Sequence, residues 1–250
     1  LKWTARDLIR VASHRFSRYI RLYYLEQFRQ SDLGGQDLGK ADVAERVFRS
    51  ALPMAMPNSI GGTEDGLAYI LRHTQLLPRH FIFILNKIWR DPRSREDPFA
   101  IDPGVIRRAV EACEVELADE ICKAYRPVYP KVSEICSALF PELTMRVTEA
   151  ELHTKFNSFA RADSWGMNSD ECRNMLIEIG AIGRFVKGTD FYVEAEFKYY
   201  TQNLGISEDE TLCLHPLFLG RFGCKEKSPA FQGAALPVYP RGWDPDAQDD

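Results

Sequence analysis

Apolar residues recur at intervals of three and four along the first half of the chain, which predicts a series of amphipathic helices. The first is predicted over residues 4–28, where apolar positions from Leu8 to Tyr23 share one face and Thr4 is the expected N-cap. Residues 41–50 predict a short helix. A further helix is expected to start at Thr63, as its N-cap, with two acidic residues in its first turn.

Two proline-marked helices follow. Pro78 suits the first position of a helix, because its missing N–H would be unpaired there in any case. Residues 91–98 are polar and predict a linker. Asp102 and the proline after it start a helix whose apolar stripe runs to Tyr125. These elements together predict a helical domain over residues 1–127.

From residue 128 the pattern changes to three short helices. Residues 132–140 predict the first of them. Thr148 and Asn168 each have a glutamate three residues later, and these two capping boxes start the second and third helices. Gly180 is expected to end the third helix as its C′ residue.

Alternation of apolar and polar residues then predicts a β-hairpin from residues 182–186 and 191–197. Three short helices followed by a hairpin is the order of a winged helix, whose hairpin is the wing. We therefore predict a winged-helix domain over residues 128–223, in which residues 211–222 add a last strand or helix. Residues 224–250, rich in Pro, Gly and Asp, predict a loosely ordered tail. The expected fold class is mainly α, with a helical bundle followed by an α+β domain.

Composition and charge narrow the possible functions. Hydrophobic residues at 45% and charged residues at 27% are typical of a globular protein. No apolar run approaches the ~20 residues of a membrane span, so no membrane partner is expected. The net charge of −4 argues against a whole surface built for nucleic acid. Arg10 and Arg18 nevertheless belong to a basic stripe on the first helix, which is either a solvated face or a contact for nucleic acid or for the acidic core of the same longer protein.

The cysteines and the start of the chain bear on its compartment. The six cysteines are scattered without a C-x-x-C pair, which indicates reduced thiols in a cytoplasmic protein. Cys213 and His215 do not assemble a zinc set at usual spacings, so no metal site is expected. The charged start lacks the apolar segment of a signal peptide.

Arg79 lies in the first turn of the helix that follows Pro78, where the helix dipole favours an anion rather than a cation. A phosphate group would suit both the guanidinium and the helix terminus. The alternative is an ion pair with a surface acid such as Glu64 or Asp65.

The stretch TEDGLAYILRHTQLLPRHFIFILNKI (residues 63–88) resembles the helical lid of AAA+-like ATPases of the origin-recognition and STAND type. In that family a Pro-Arg pair opens a lid helix, the arginine, called sensor 2, reaches nucleotide phosphate, and a winged helix follows. The resemblance extends over residues 1–222 as an order of parts, and it is specific only between Tyr69 and Ile84. It implies that residues 1–127 are lid-like and that Arg79 contacts a bound nucleotide.

The chain departs from that family in one large respect, because it contains neither a G-x-x-x-x-G-K-[ST] loop nor a Walker B strand. This chain alone is therefore not expected to be an enzyme or to hold a cofactor. ATP and magnesium are expected only with a nucleotide-binding core upstream of Leu1, and the non-Met start agrees with such a core.

We therefore expect the regulatory, nucleotide-sensing portion of a STAND-like P-loop ATPase switch, whose first partner is the upstream core. The alternative is a self-contained winged-helix DNA-binding regulator, and a purely structural interaction module is a third interpretation.

Contacts to DNA or to a protein partner are predicted from Arg173 and Asn174 on the third short helix and from Arg184 and Lys187 on the wing. Two acids at the start of the third helix make it poorly suited to DNA.

Overall fold

A computed structural model describes residues 2–58, 60–163, 165–207, 210–225 and 236–245, and the first half of the chain is helical. Its helices are α1 (Ala5–Tyr23), α2 (Leu25–Gln30), α3 (Ala41–Ala51), α4 (Gly66–Arg72), α5 (Pro78–Arg90), α6 (Pro92–Glu96) and α7 (Pro103–Tyr125). A short antiparallel ribbon of β1 (Met56–Pro57) and β2 (Thr63–Glu64) precedes α4.

The starts of these helices follow from local capping. Thr4 caps α1 in a reciprocal capping box, as predicted. The prediction that Thr63 caps the next helix is wrong, because Thr63 pairs with Pro57 in the ribbon and the helix starts only after it. Asp65 caps α4 instead, by accepting a hydrogen bond from the backbone N of Ala68 at 3.0 Å.

The predicted linker over residues 91–98 is also partly wrong, since it contains α6. Asp91 caps this helix by accepting from the backbone N of Arg93 at 3.0 Å, and Pro92 occupies its first turn. A polar stretch this short carries no apolar stripe from which a helix can be predicted.

The second half combines short helices with strands. Its elements are α8 (Val132–Leu139), β3 (Arg146–Thr148), α9 (Glu149–Asp163), α10 (Ser169–Glu178), β4 (Ile182–Gly188), β5 (Val193–Glu196), β6 (Thr211–Leu214), α11 (Leu219–Phe222) and β7 (Val238–Pro240). The expected fold class is confirmed: the chain is mainly α, and a helical part is followed by an α+β region with a β-hairpin. The capping boxes at Thr148 and Asn168 are present, and Gly180 follows α10 with a φ of +72°.

The five-stranded sheet has the order β3-β6-β4-β5-β7. β6 lies between β3 and β4 and is antiparallel to both, with Cys213 opposite Arg146 and Leu214 opposite Ile182. Residues 211–222 therefore add both a strand and a helix to this region.

The last strand corrects the prediction of a loosely ordered tail. Val238–Pro240 form β7, which pairs in parallel with β5 and places Val238 opposite Val193. Both valines are fully buried. Three residues are too few to show a strand period, and the pairing becomes favourable only because β5 offers a free edge. Residues 226–235 and 246–250 of the predicted tail lie outside the described residues.

α7 is the helix against which both halves pack. It contacts α4 and α5 of the first half and α8 and α11 of the second half. One buried apolar cluster accordingly extends from Ala5 to Phe222, and a smaller one lies against the sheet around Phe197. The domain boundary after residue 127 stays a prediction. Within the described ranges, no helix has the length and apolar character needed to cross a membrane.

Substitution of Gly180 by alanine should destabilise the fold through two separable effects. Gly180 and Gly166 have nearly the same φ, +72° and +71°, so an alanine at either position carries the same backbone strain of about 1 kcal/mol. At Gly180 the new Cβ would also lie 2.7 Å from Nε2 of Gln75 and 2.9 Å from the ring of Tyr199, whereas at Gly166 it meets nothing within 4 Å.

Urea unfolding should therefore give a loss of about 1 kcal/mol for Gly166→Ala and about 2 to 4 kcal/mol for Gly180→Ala. Equal losses at the two positions would contradict the close packing of Gly180 against Gln75 and Tyr199.

Candidate functional site

The turn before α5 is strained and tightly held. Leu76 is the only non-glycine residue with positive φ in the described chain, at 49°, and it is buried. Its backbone N donates to Oγ1 of Thr74 at 3.1 Å, and Nε2 of Gln75 donates to the carbonyl of Ile179 at 2.9 Å. The turn thereby fixes the start of α5 against the end of α10. Strained backbone conformations of this kind cluster at functional sites such as active sites, ligand clamps and switch regions.

Arg79 lies at the mouth of this helix. Leu77, the N-cap residue of α5, provides no side-chain hydrogen bond, so the N–H groups of the first turn are left without a cap. The Arg79 side chain is 76% exposed and forms an ion pair with Glu120 of α7. This confirms the alternative of an ion pair with a surface acid, but the acid is not Glu64 or Asp65, because Glu64 binds Arg72 and Asp65 caps α4.

A cleft of about 460 Å³ opens beside Arg79, between α5, α7 and the end of α10. A second ion pair faces it, in which Nζ of Lys198 lies 2.7 Å from Oε2 of Glu178. The cleft is therefore lined by two cations, each of which is already neutralised by one carboxylate.

The inner part of the cleft is lined by neutral polar groups. Burial lowers the pKa of His80 to about 4, with a further contribution from Arg79, so its imidazole is neutral at pH 7. The hydroxyl oxygen of Tyr199 lies 2.7 Å from Nε2 of His215, within hydrogen-bond distance. Because Leu217 N donates to Nδ1 of His215, the proton of this imidazole is on Nε2, which donates to the tyrosine oxygen.

A buried ion pair holds the helix just before this turn. Arg72 of α4 donates to Glu64 through Nε at 2.9 Å and Nη2 at 3.0 Å, which is a bidentate arrangement. The hydroxyl of Tyr239 in β7 donates to the same carboxylate. The guanidinium also lies over the ring of Tyr69, 4.8 Å from its centroid.

His73 and Glu114 form a second buried contact, from Nδ1 to Oε1, between α4 and α7. Burial lowers the pKa of His73 well below its ordinary value and raises the pKa of Glu114 to about 8. Both groups are therefore neutral at pH 7, and the contact is a hydrogen bond of a carboxylic acid to an imidazole rather than an ion pair. Nε2 of His73 is buried without a hydrogen-bond partner in the described chain.

The residues predicted to read DNA from the third helix are not arranged for it. Arg173 is turned inward, where Nη1 lies 2.5 Å from Oε1 of Glu149 in a largely buried ion pair. Asn174 is exposed on α10, and the exposed Glu171 lies on the same helix. The inward pairing of Arg173 removes the only cation of this helix from its outer face.

The wing residues are paired as well. Arg184 binds Glu196 of the neighbouring strand and lies 3.8 Å from Glu210, and its side chain is only 34% exposed. Nζ of Lys187 lies 3.3 Å from Oε2 of Glu194 across the hairpin. These cations are therefore already compensated within the sheet.

Arg10 and Arg18 lie on the exposed face of α1, far from the wing in sequence. Neither forms an ion pair with a described residue. Of the predicted contact residues, the structure thus leaves only Asn174 and these two arginines without a charged partner.

Two of the buried cysteines lie outside the cleft beside Arg79. Burial raises the pKa of Cys113 and Cys172 to about 12 each, which keeps both thiols protonated. Among the described residues, no group of three or more His, Cys, Asp or Glu side chains is arranged to hold a metal ion.

Sequence reasoning missed Glu120, Lys198 and Tyr199, which complete the cleft around Arg79. Glu120 is one of several glutamates on the outer face of α7, and nothing local distinguishes it from its neighbours. Lys198 and Tyr199 follow the predicted hairpin directly, so the only available signal was an aromatic and basic cluster at the end of a strand.

Comparisons of the chain with models of protein families, with curated proteins and with solved structures found no match.

Replacing Glu114 with Gln should change how stability depends on pH. Because burial raises the pKa of Glu114 to about 8 from an ordinary 4.5, the folded state keeps a proton that the unfolded state has lost between these values. The free energy of unfolding therefore falls as pH rises towards 8. The lowered pKa of His73 acts in the opposite direction, but only below about 6.5, where the unfolded imidazole binds a proton.

As pH rises from 6.5 to 8, we expect the raised pKa of Glu114 to lower the free energy of unfolding by about 1 to 2 kcal/mol. Glu114→Gln should abolish this decrease. Urea unfolding at several pH values measures it, with Glu116→Gln, an exposed position on the same helix, as the control. Parallel pH profiles for the native chain and Glu114→Gln would show that this carboxyl titrates normally.

Proposed function

We propose that this chain is the nucleotide-sensing and regulatory portion of a STAND-like P-loop ATPase switch. In this proposal Arg79 contacts the phosphates of a nucleotide bound by an upstream core of the same protein. The α+β region that follows then responds as a clamp or protein contact. ATP and magnesium belong to that core and not to this chain.

The observation that carries the proposal is the position of Arg79. It lies at an uncapped helix N-terminus, beside a cleft, with most of its side chain exposed. A guanidinium there opposes the helix dipole, and the arrangement becomes favourable when an anion contacts both the guanidinium and the free N–H groups. Glu120 supplies part of that negative charge through its ion pair.

Glu120 has a specific part in this proposal. Its carboxylate binds Arg79 when no phosphate is present, so an arriving phosphate must displace it. Both partners are well exposed, and an ion pair of this kind is worth only about 0 to 1 kcal/mol. Displacement therefore costs little, and exchange of one anion for another breaks the ion pair that joins α5 and α7 at this point.

The link to the second half runs through the same helix. α7 contacts α5 of the first half and α8 and α11 of the second half. A change at the Arg79–Glu120 contact therefore acts directly on the helix that supports the α+β region. This gives the proposed switch a mechanical route that requires no additional element.

Arg79→Ala should weaken nucleotide binding by the full gene product about tenfold or more, because a charge-assisted contact to phosphate is lost. Glu120→Gln should leave binding unchanged or slightly tighter, since it frees the guanidinium. Binding of a fluorescent ADP or ATP analogue measures both effects. Arg93→Ala, an exposed arginine on α6 outside the cleft, is the control.

Unchanged nucleotide affinity and turnover in Arg79→Ala would overturn the assignment, and so would a full gene product that binds no nucleotide. Loss of binding in Arg93→Ala as well would point to a general charge effect. The fold should survive each change, because all three side chains are exposed, and circular dichroism checks this.

The alternative function, a winged-helix DNA-binding regulator, has weaker support from the contacts described above. Arg173, Arg184 and Lys187 are each paired with a glutamate. We expect this chain to bind a 20-base-pair duplex only weakly, and Arg184→Ala with Lys187→Ala to change that binding by less than twofold. Tight, salt-sensitive binding that these two substitutions abolish would favour the DNA-binding alternative instead.

A further inference from the structure

A second depression, separate from the Arg79 cleft, lies between α1, α3 and α5. It has a volume of about 230 Å³ and an aromatic floor. The ring of Phe16 lies 4.8 Å from that of Trp89 and 5.9 Å from that of Phe48, and all three side chains are buried. Ile82 and Leu85 complete its apolar wall. We name this depression the α1–α5 groove.

The charged residues that line the α1–α5 groove are all cations. Arg15 of α1 and Arg90 of α5 line it from opposite helices, and no lining residue is acidic. Both arginines are exposed and neither forms an ion pair with a described residue. Asp91, the acid next to Arg90, lies 3.8 Å from Arg108 instead.

The groove continues into an exposed apolar patch at the end of α1. Tyr19 lines the groove, and its ring lies 5.5 Å from that of Tyr23, whose side chain is 71% exposed. Leu22 beside it is 65% exposed. Tyrosine, tryptophan and arginine around an apolar pocket are the composition of a protein-binding hot spot.

We propose that the α1–α5 groove binds an acidic protein segment that places an apolar side chain over the floor formed by Phe16 and Trp89. Charge complementarity selects the segment, because Arg15 and Arg90 form no ion pair with a carboxylate of the described residues. A protein segment fits this groove better than nucleic acid does, for a geometric reason. The aromatic rings are buried in the floor, so they offer an apolar slot and not an exposed face on which bases stack.

This interaction does not depend on Arg79 or on nucleotide. The groove lies on α1, on α3 and on α5 from Ile82 onwards, whereas Arg79 is in the first turn of α5. Failure of one proposal therefore leaves the other intact.

Three synthetic peptides of 18 residues provide the probes. The first places Leu on one helical face and Glu on the other, the second replaces every Glu with Lys, and the third replaces every Leu with Ser. Fluorescence anisotropy measures their binding to the full chain. The salt concentration is 150 mM, because exposed charges more than about 8 Å apart are largely screened at that ionic strength. We expect the Glu and Leu peptide to bind at least tenfold more tightly than either of the others.

Matched variants locate the site. Arg15→Glu with Arg90→Glu should weaken this peptide at least tenfold, whereas Arg6→Glu with Arg10→Glu, the same change of charge elsewhere on α1, should alter its affinity less than twofold. Asn86→Trp places a bulky side chain over the groove from an exposed position, and it should weaken binding to a similar extent. Circular dichroism confirms that each variant is folded.

Equal binding of the three peptides, or equal losses in the two charge variants, would overturn the proposal. A 20-base-pair duplex bound more tightly than the acidic peptide, and weakened equally by both charge variants, would instead identify α1 as a general polyanion surface.

Discussion

The junction between the helical part and the sheet depends on burying a guanidinium without leaving it unpaired. Arg72 lies in the interior, and loss of one partner of such a pair typically costs about 3 to 5 kcal/mol. Its acceptor, Glu64, comes from the short ribbon, and Tyr239 reaches the same carboxylate from the last strand, 175 positions away. The ribbon and β7 therefore both contribute to holding α4 in place. The two neutral partners His73 and Glu114 tie the same end of α4 to α7.

This constraint also sets the candidate site. The turn with the strained Leu76 begins directly after His73, so the buried contacts fix where α5 can start. From there Gln75 holds the turn to the end of α10, and Arg79 is left at the surface. The orientation of an exposed side chain thus follows from buried polar groups that precede it in the chain. Strain at one backbone position is tolerated because several hydrogen bonds around it hold the turn in this conformation.

The features that could be predicted from the sequence are those whose causes lie within a few residues. The capping boxes at Thr4 and Asn168 and the start of α5 at Pro78 each involve partners at most three positions apart. The hairpin follows from alternation. Features with distant partners could not be predicted: the insertion of β6 between β3 and β4, the pairing of β7 with β5, and the choice of Glu120 for Arg79. Several glutamates of α7 were equally plausible, and only the packing of α7 against α5 selects one.

Local compensation of charge decides which cations remain available to a partner. A net charge of −4 indicates more acidic than basic residues, yet the acidic side chains are distributed unevenly among the cations. Glutamates of the sheet and of α9 neutralise Arg184, Lys187 and Arg173, and Glu120 neutralises Arg79. Among the described residues, no acid forms an ion pair with an arginine of α1, and the one acid within this helix, Asp7, is used in its own capping box. Positive charge therefore concentrates on α1 and not on the wing. An incoming anion meets less competition on α1 than at any of the paired cations.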